Sequence, residues 1–198
     1  MRLVMATTNA HKLEEARAIL AGVGIEVLAP PRPLPLVEED APSFAGNAAK
    51  KARAAAALLG VLVLADDSGL VVDALGGAPG VWSARYAGPG AGDAAHNALL
   101  VERLVALGVR DPAARFVCHV VVAHPDGGLL AQAEGRVEGV IRWPGVGAHG
   151  FGYDPLFFHP PSGKRLAELG PEAKNAVSHR GAALRALAIR LREGGRSS

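Results

Sequence analysis

The chain opens on an apolar run, Leu3-Val4-Met5-Ala6, which predicts a short buried strand. Polar Thr7-Thr8-Asn9 follows. Apolar residues then recur at Leu13, Ala16 and Leu20, one face of a helix over residues 10–20 that Gly22 and Gly24 stop. Residues 25–29 predict a second strand. The run Pro30-Pro31-Arg32-Pro33-Leu34-Pro35 admits neither helix nor central strand, because proline lacks an amide donor and restricts its predecessor. Ser43 can cap a long alanine-rich helix over 44–59, which Gly60 ends. Residues 61–65 are all apolar and predict a central strand that runs out into Asp66-Asp67-Ser68-Gly69. Residues 70–73 read as extended again, before a turn at Gly76-Gly77.

Beyond that turn, Leu100, Leu104 and Leu107 mark one face of a helix over 92–107. Residues 115–123 and 129–137 flank Pro125-Asp126-Gly127-Gly128, a hairpin signal. Residues 140–143 predict another short strand, and a glycine-rich loop covers 145–152. A last helix is expected over 175–192, with Leu184, Leu187, Ala188 and Leu191 inward and residues 194–198 frayed. No repeat or linker interrupts this order. It predicts one domain over 1–198, α/β or α+β, with a mixed sheet.

Composition narrows the function. One cysteine excludes a disulfide framework and a cysteine-rich metal site. A net charge of +2, from 21 basic and 19 acidic residues, argues against direct nucleic-acid binding. No apolar run approaches the ~18 residues of a membrane span. The first residues do not make a signal peptide. A cytoplasmic protein is expected.

Two motifs fail on context. Gly145-Val146-Gly147-Ala148-His149-Gly150 fits the dinucleotide pattern, but Gly152 and Pro155 prevent the helix that the pattern needs. The seven histidines lack metal-binding spacing, and Cys118 reads as a small buried hydrophobe.

Four motifs survive. Thr7-Thr8-Asn9-Ala10-His11-Lys12 places hydroxyls, an amide and a lysine at a helix start, which is an anion site or a plain cap with a surface lysine. Asp66 and Asp67 are costly beside a buried strand unless a cation meets them. Glu38-Glu39-Asp40 alone reads as a solvated charge run, but with the aspartates it offers the hard oxygens that suit Mg²⁺. Phe151-Gly152-Tyr153-Asp154-Pro155 can admit and stack a flat ligand. Lys174, His179 and Arg180 cluster at the expected start of the last helix, with groups for phosphate and base edges. Together these are the parts of a Mg-nucleotide site.

The motifs also resemble a known family. Thr7 to Lys12, Ala65-Asp66-Asp67-Ser68-Gly69-Leu70, Leu75-Gly76-Gly77-Ala78-Pro79-Gly80-Val81, Ser83-Ala84-Arg85-Tyr86, Gly150-Phe151-Gly152-Tyr153-Asp154-Pro155-Leu156-Phe157 and Lys174-Asn175-Ala176-Val177-Ser178-His179-Arg180-Gly181 are similar, in this order, to the inosine/xanthosine triphosphate pyrophosphatases. The resemblance implies an elongated mixed sheet flanked by helices, two lobes with an active-site cleft, and a homodimer. It implies Mg²⁺-dependent hydrolysis of ITP, dITP or XTP to the monophosphate and pyrophosphate. Thr7, Thr8, Asn9, Ala10, His11 and Lys12 would hold phosphates, with Lys174 also on the nucleotide and Ser68 on substrate. Asp67 would accept a proton and bind metal, its basicity raised by acidic neighbours, with Glu38 or Glu39 as the other metal carboxylate. Phe151, Gly152, Tyr153, Asp154, His179 and Arg180 would form the base pocket. Two positions depart from the pattern. Gly46-Asn47-Ala48 stands where the family often has Glu-Asn-Ala, and Thr8 where it often has Gly or Ser. For the dimer, the large aromatic Trp82 suits an interface or its own domain's core.

Overall fold

In the computed structural model, which describes residues 1–194, strand β1 (Arg2–Met5) leads through helix α1 (Ala10–Ala21) to β2 (Glu26–Leu28). Helix α2 (Phe44–Leu59) follows the proline-rich stretch, and then β3 (Val63–Val72). Next come α3 (Asp93–Ala106), β4 (Ala113–Ala123), β5 (Leu129–Ile141), β6 (Phe157–His159), β7 (Lys164–Arg165), α4 (Pro171–Val177) and α5 (His179–Gly194). One mixed sheet has the order β2-β1-β3-β4-β5-β6-β7. β1 is parallel to β2 and β3, whereas β6 is antiparallel to β5 and β7. Of the stretch expected to fray, 195–198 lies outside the described residues.

The chain forms two compact units. The first holds Met1–Ser68, Cys118–Gly135 and the chain from His179 on. Its strands are apolar on both faces because both are covered. Leu3, Met5, Leu64, Val120 and Val122 pack with Leu20 of α1 and Leu184 and Leu187 of α5. The alternate residues Val4, Val63, Ala65, Val121 and Ala123 pack with Ala48, Ala52, Ala55 and Ala56 of α2. The second unit, Gly69–Val117 and Arg136–Ser178, has its own core around Leu70, Leu100, Leu104, Phe116, Tyr153 and Phe157.

Several sequence expectations change. Asp66-Asp67-Ser68-Gly69 is not the end of a strand but the middle of β3, which has paired strands on both sides. Nor is 140–143 separate, since β5 runs on to Ile141. Gly139 stays in that strand because a Cβ there would lie 2.4 Å from the Phe158 carbonyl, so the missing side chain admits β6. Leu107 is 54% exposed, because α3 ends at Ala106 and the chain turns away. The expected last helix is two helices, broken where Ser178 is extended at φ −74° and ψ 156°. Trp82 is not in its unit's core: it is 56% exposed, with the Arg85 guanidinium 4.2 Å over its ring.

Candidate active site

In the first unit, the Asn9 side chain caps α1 by accepting from the Lys12 amide, and Thr7 Oγ1 accepts from the Asn9 amide. Thr8, Ala10 and His11 are exposed at this helix start. The Lys12 ammonium turns back to Asp66, 3.0 Å away. Side chains alternate along a strand, so Asp66 and Asp67 face opposite sides of β3. Asp66 joins Leu64 on the side of α1 and α5, and Asp67 joins Val63 and Ala65 on the side of α2.

Asp66 is 2% exposed. Arg180 donates to its Oδ2 from Nη2 at 3.1 Å and from Nε at 3.3 Å. The same guanidinium donates to Ser68 Oγ at 2.9 Å and to Glu15 Oε2 at 2.5 Å. Burial pushes the Asp66 carboxyl up, but Lys12, Arg180 and Lys51 outweigh it and hold it well below the usual range. Its Oδ1 is buried with no hydrogen-bond partner. Cys118 packs beside it, and burial pushes that thiol up to about 12.

Asp67 has a different setting. Asn47 donates to its Oδ2 at 3.1 Å, and Lys51 Nζ lies 3.4 Å from its Oδ1 and 2.6 Å from Glu39 Oε1. Burial raises the Asp67 carboxyl above its ordinary value; Lys51 pulls it down and Glu39 pushes it up, with a net rise. The raised basicity was expected from acidic neighbours. Burial is the larger cause, because Asp66 faces the other side of the strand.

The loop carboxylates sort themselves. Glu39 reaches Lys51, Asp40 pairs with Lys50, and Glu38 is exposed. At Gly46 a Cβ would lie 2.7 Å from Ala41 Cβ, so the loop lies where a side chain would begin.

In the second unit, Asp154 Oδ2 accepts from the Phe151 amide at 3.0 Å and from Lys174 Nζ at 2.6 Å. Lys174 is 4% exposed and sits 4.6 Å from the Phe151 ring centroid. The glycines here serve packing. A Cβ at Gly147 would meet the Ala167 carbonyl at 2.3 Å, and one at Gly150 would meet Asp154 Oδ2 at 2.1 Å. Tyr153 was expected against the base, but its ring is in the core and its hydroxyl donates to the Ser83 carbonyl at 2.9 Å. Phe151 is the partly exposed aromatic.

The model of the Ham1 family matches residues 3–189. The chain belongs to the Ham1 family. A dITP/XTP pyrophosphatase of Aromatoleum aromaticum is 52% identical over 192 residues, 96% of each chain. One from an Exiguobacterium species is 49% identical, over 94% of this chain and 95% of its own. The solved HAM1 protein of Coxiella burnetii superposes with a TM-score of 0.88 at 39% identity, covering 98% of this chain and 99% of its own.

This Ham1 member brings together residues that the sequence reading left out. Asn47 and Lys51 are four apart on α2 and both reach Asp67, a helical spacing legible once Asp67 was singled out. Glu15, three after Lys12 on α1, holds Arg180. Arg180 was expected among the base donors. Its guanidinium is 1% exposed and shared by Asp66, Ser68 and Glu15, so any base contact draws on a group already engaged. His179, the first residue of α5, is buried.

The fit to a metal is a two-carboxylate one. No group of three or more His, Cys, Asp or Glu is placed for a metal among the described residues. Glu39 and Asp67 do converge on one cation, the Lys51 ammonium. Two carboxylates suffice for Mg²⁺, which completes its shell with water and substrate phosphate.

Proposed function

We propose that this Ham1 protein hydrolyses non-standard purine nucleoside triphosphates (ITP, dITP and XTP) to the monophosphate and pyrophosphate, and so cleanses the nucleotide pool. The observation that carries the reading is Asp67, a carboxylate of raised basicity held between Asn47 and Lys51 on a rigid central strand. Relatives that are 52% and 49% identical over nearly the full length of both chains are named dITP/XTP pyrophosphatases. Thr7 to Lys12 take the polyphosphate at the α1 N-terminus, where the helix dipole and Lys12 favour an anion. Ser68 contacts substrate, and Lys174 adds positive charge beside Phe151. Phe151, Gly152 and Asp154 take the base, with His179 and Arg180 as donors to its 6-oxo group.

Mg²⁺, held by Glu39 and Asp67, would supply charge neutralisation for the polyphosphate when bound. Asp67 takes a proton from water as the water oxygen bonds to phosphorus. The bond from that phosphorus to the oxygen bridging the α- and β-phosphorus breaks, and the electron pair leaves with pyrophosphate on attack at the α-phosphorus or with the monophosphate on attack at the β-phosphorus. Attack at the α- or β-phosphorus gives the same products, and hydrolysis in ¹⁸O-water assigns it by which product carries the label. Working as a homodimer, with the exposed Trp82 at the contact, suits the reading. A cytoplasmic site of action suits a nucleotide-pool enzyme, and among the described residues no helix is long and apolar enough to cross a membrane.

Product identity tests the activity. With ITP and Mg²⁺, inosine monophosphate and pyrophosphate are expected in equal amounts. Release of orthophosphate overturns the reading in favour of a stepwise phosphohydrolase, and binding without turnover overturns it in favour of a purine sensor.

A further inference from the structure

Gly152 lies in the loop between Phe151 and Tyr153, outside any helix or strand, so its peptide groups need partners from elsewhere. Both come from one helix. Its amide donates to Asp93 Oδ2 at 2.6 Å, and its carbonyl accepts from Asn97 Nδ2 at 2.9 Å. Asp93 and Asn97 are four apart, so they stand one turn above another on a single face of α3. Asp93 occupies the first turn, where the helix dipole holds a carboxylate.

Asn97 carries a second sign of purpose. Its Oδ1 is buried with no hydrogen-bond partner. An orphaned acceptor is a standing cost that an apolar side chain at this position would avoid. The carboxamide is therefore kept for its other end, the N–H₂ that holds Gly152. The opposite orientation would set oxygen against the Gly152 carbonyl, so the donor assignment is forced.

We propose that Asp93 and Asn97 are positioning residues for base recognition, gripping Gly152 by both peptide groups so that Phe151 presents its ring at a fixed height and tilt. The proposal rests on the reading above that the 151–154 loop takes the base. The local geometry shows why a grip matters. Phe151 is flanked on one side by Gly150, which packs against Asp154, and on the other by Gly152, which no side chain of its own can anchor. The α3 contacts fix the residue next to Phe151, beside the Asp154 bond to the Phe151 amide and the Lys174 contact with its ring. A stacking surface that drifts loses discrimination between bases before it loses phosphate chemistry, because the phosphate groups are assigned to other residues.

The test uses the full chain with ITP and GTP. Asn97→Asp is isosteric and replaces the donor by an acceptor facing the Gly152 carbonyl. Asp93→Ala removes the acceptor for the Gly152 amide at an exposed position, and carries the test if Asn97→Asp does not fold. Each should raise KM for ITP by about tenfold or more, and narrow the ITP-to-GTP ratio of kcat/KM by a similar factor. kcat and inhibition by free pyrophosphate should stay within about threefold of the parent, a split that a merely structural role does not produce. Asp93→Asn keeps an acceptor and should recover most of the Asp93→Ala loss. Phe151→Ala is the reference. If it collapses the ratio while the α3 variants leave it intact, the grip is wrong and the base-loop reading stands. If Phe151→Ala itself leaves the ratio intact, the base-loop reading fails and takes the grip with it. Pyrophosphate inhibition weakening in step with KM overturns the grip in favour of a general disturbance.

Discussion

Asp66 turns toward Lys12 and Arg180, and Asp67 toward Asn47 and Lys51, so neighbouring carboxylates have different partners. Asp67→Asn should lower kcat by ~10²–10⁴-fold, the usual loss with a general base. It should keep its fold, because the folded state holds the Asp67 proton more tightly than the unfolded chain does, and the ionised form costs stability above that pKa. Circular dichroism and single-turnover kinetics check both. Near-parental rates at saturating Mg²⁺ would sink the assignment. Asp66→Asn should instead lower stability by about 3 kcal/mol at neutral pH, since it takes a buried carboxylate from the half-buried Lys12 and from Arg180, which keeps its pairing with Glu15. The sign with pH follows from the lowered pKa. The unfolded chain binds the proton first, so the contribution is present above the ordinary value of 3.8 and is lost as pH falls through the folded one. Denaturant unfolding of parent and variant should therefore converge in strong acid. Both aspartates were legible as chemistry in the sequence. Their division of labour was not, because it depends on strand parity, and the dipeptide was read as lying past the strand end.

Elements explain most of what the sequence reading reached and missed. α2 was read to its end residues because Ser43 and Gly60 punctuate it, and Ser43 Oγ does accept from the Gly46 amide. β3 was cut short because two carboxylates look like a terminator until Lys12, Arg180 and Lys51 are seen to meet them. The break between α4 and α5 went unseen because Ser178, extended and buried, carries no proline or glycine signal. β6 and β7 are three and two residues long, too short for any period to show. Gly46 tests the packing of the loop on α2. Gly46→Ala gains about 1 kcal/mol of helix propensity but forces its Cβ against Ala41, which costs ~1–3 kcal/mol. A net loss of about 1 kcal/mol is expected. Adding Ala41→Gly should return it, a coupling that a double-mutant cycle by thermal unfolding measures.

For the whole molecule, the division of roles sets expectations about substrates. On the proposed reading Lys12 meets the polyphosphate, so Lys12→Ala should weaken triphosphate binding far more than nucleoside binding, as calorimetry with ITP and inosine would show. Equal binding by parent and variant would move the phosphate site elsewhere. Light scattering at micromolar concentration should give a dimer mass, and Trp82→Ala should shift it toward the monomer. The fold class and the order of the main elements were legible from pattern and resemblance together. The pairing of Arg180 with Asp66 was not, since 114 residues separate them and no local spacing encodes the contact. The central claim is that the protein removes non-standard purine triphosphates while sparing ATP and GTP. Steady-state kcat/KM for ITP, XTP, dITP, ATP and GTP with Mg²⁺, scored by pyrophosphate release, tests it most directly. ITP, XTP and dITP should be cleaved at least ~10²-fold more efficiently than ATP or GTP, and equal values for GTP and ITP would contradict the account.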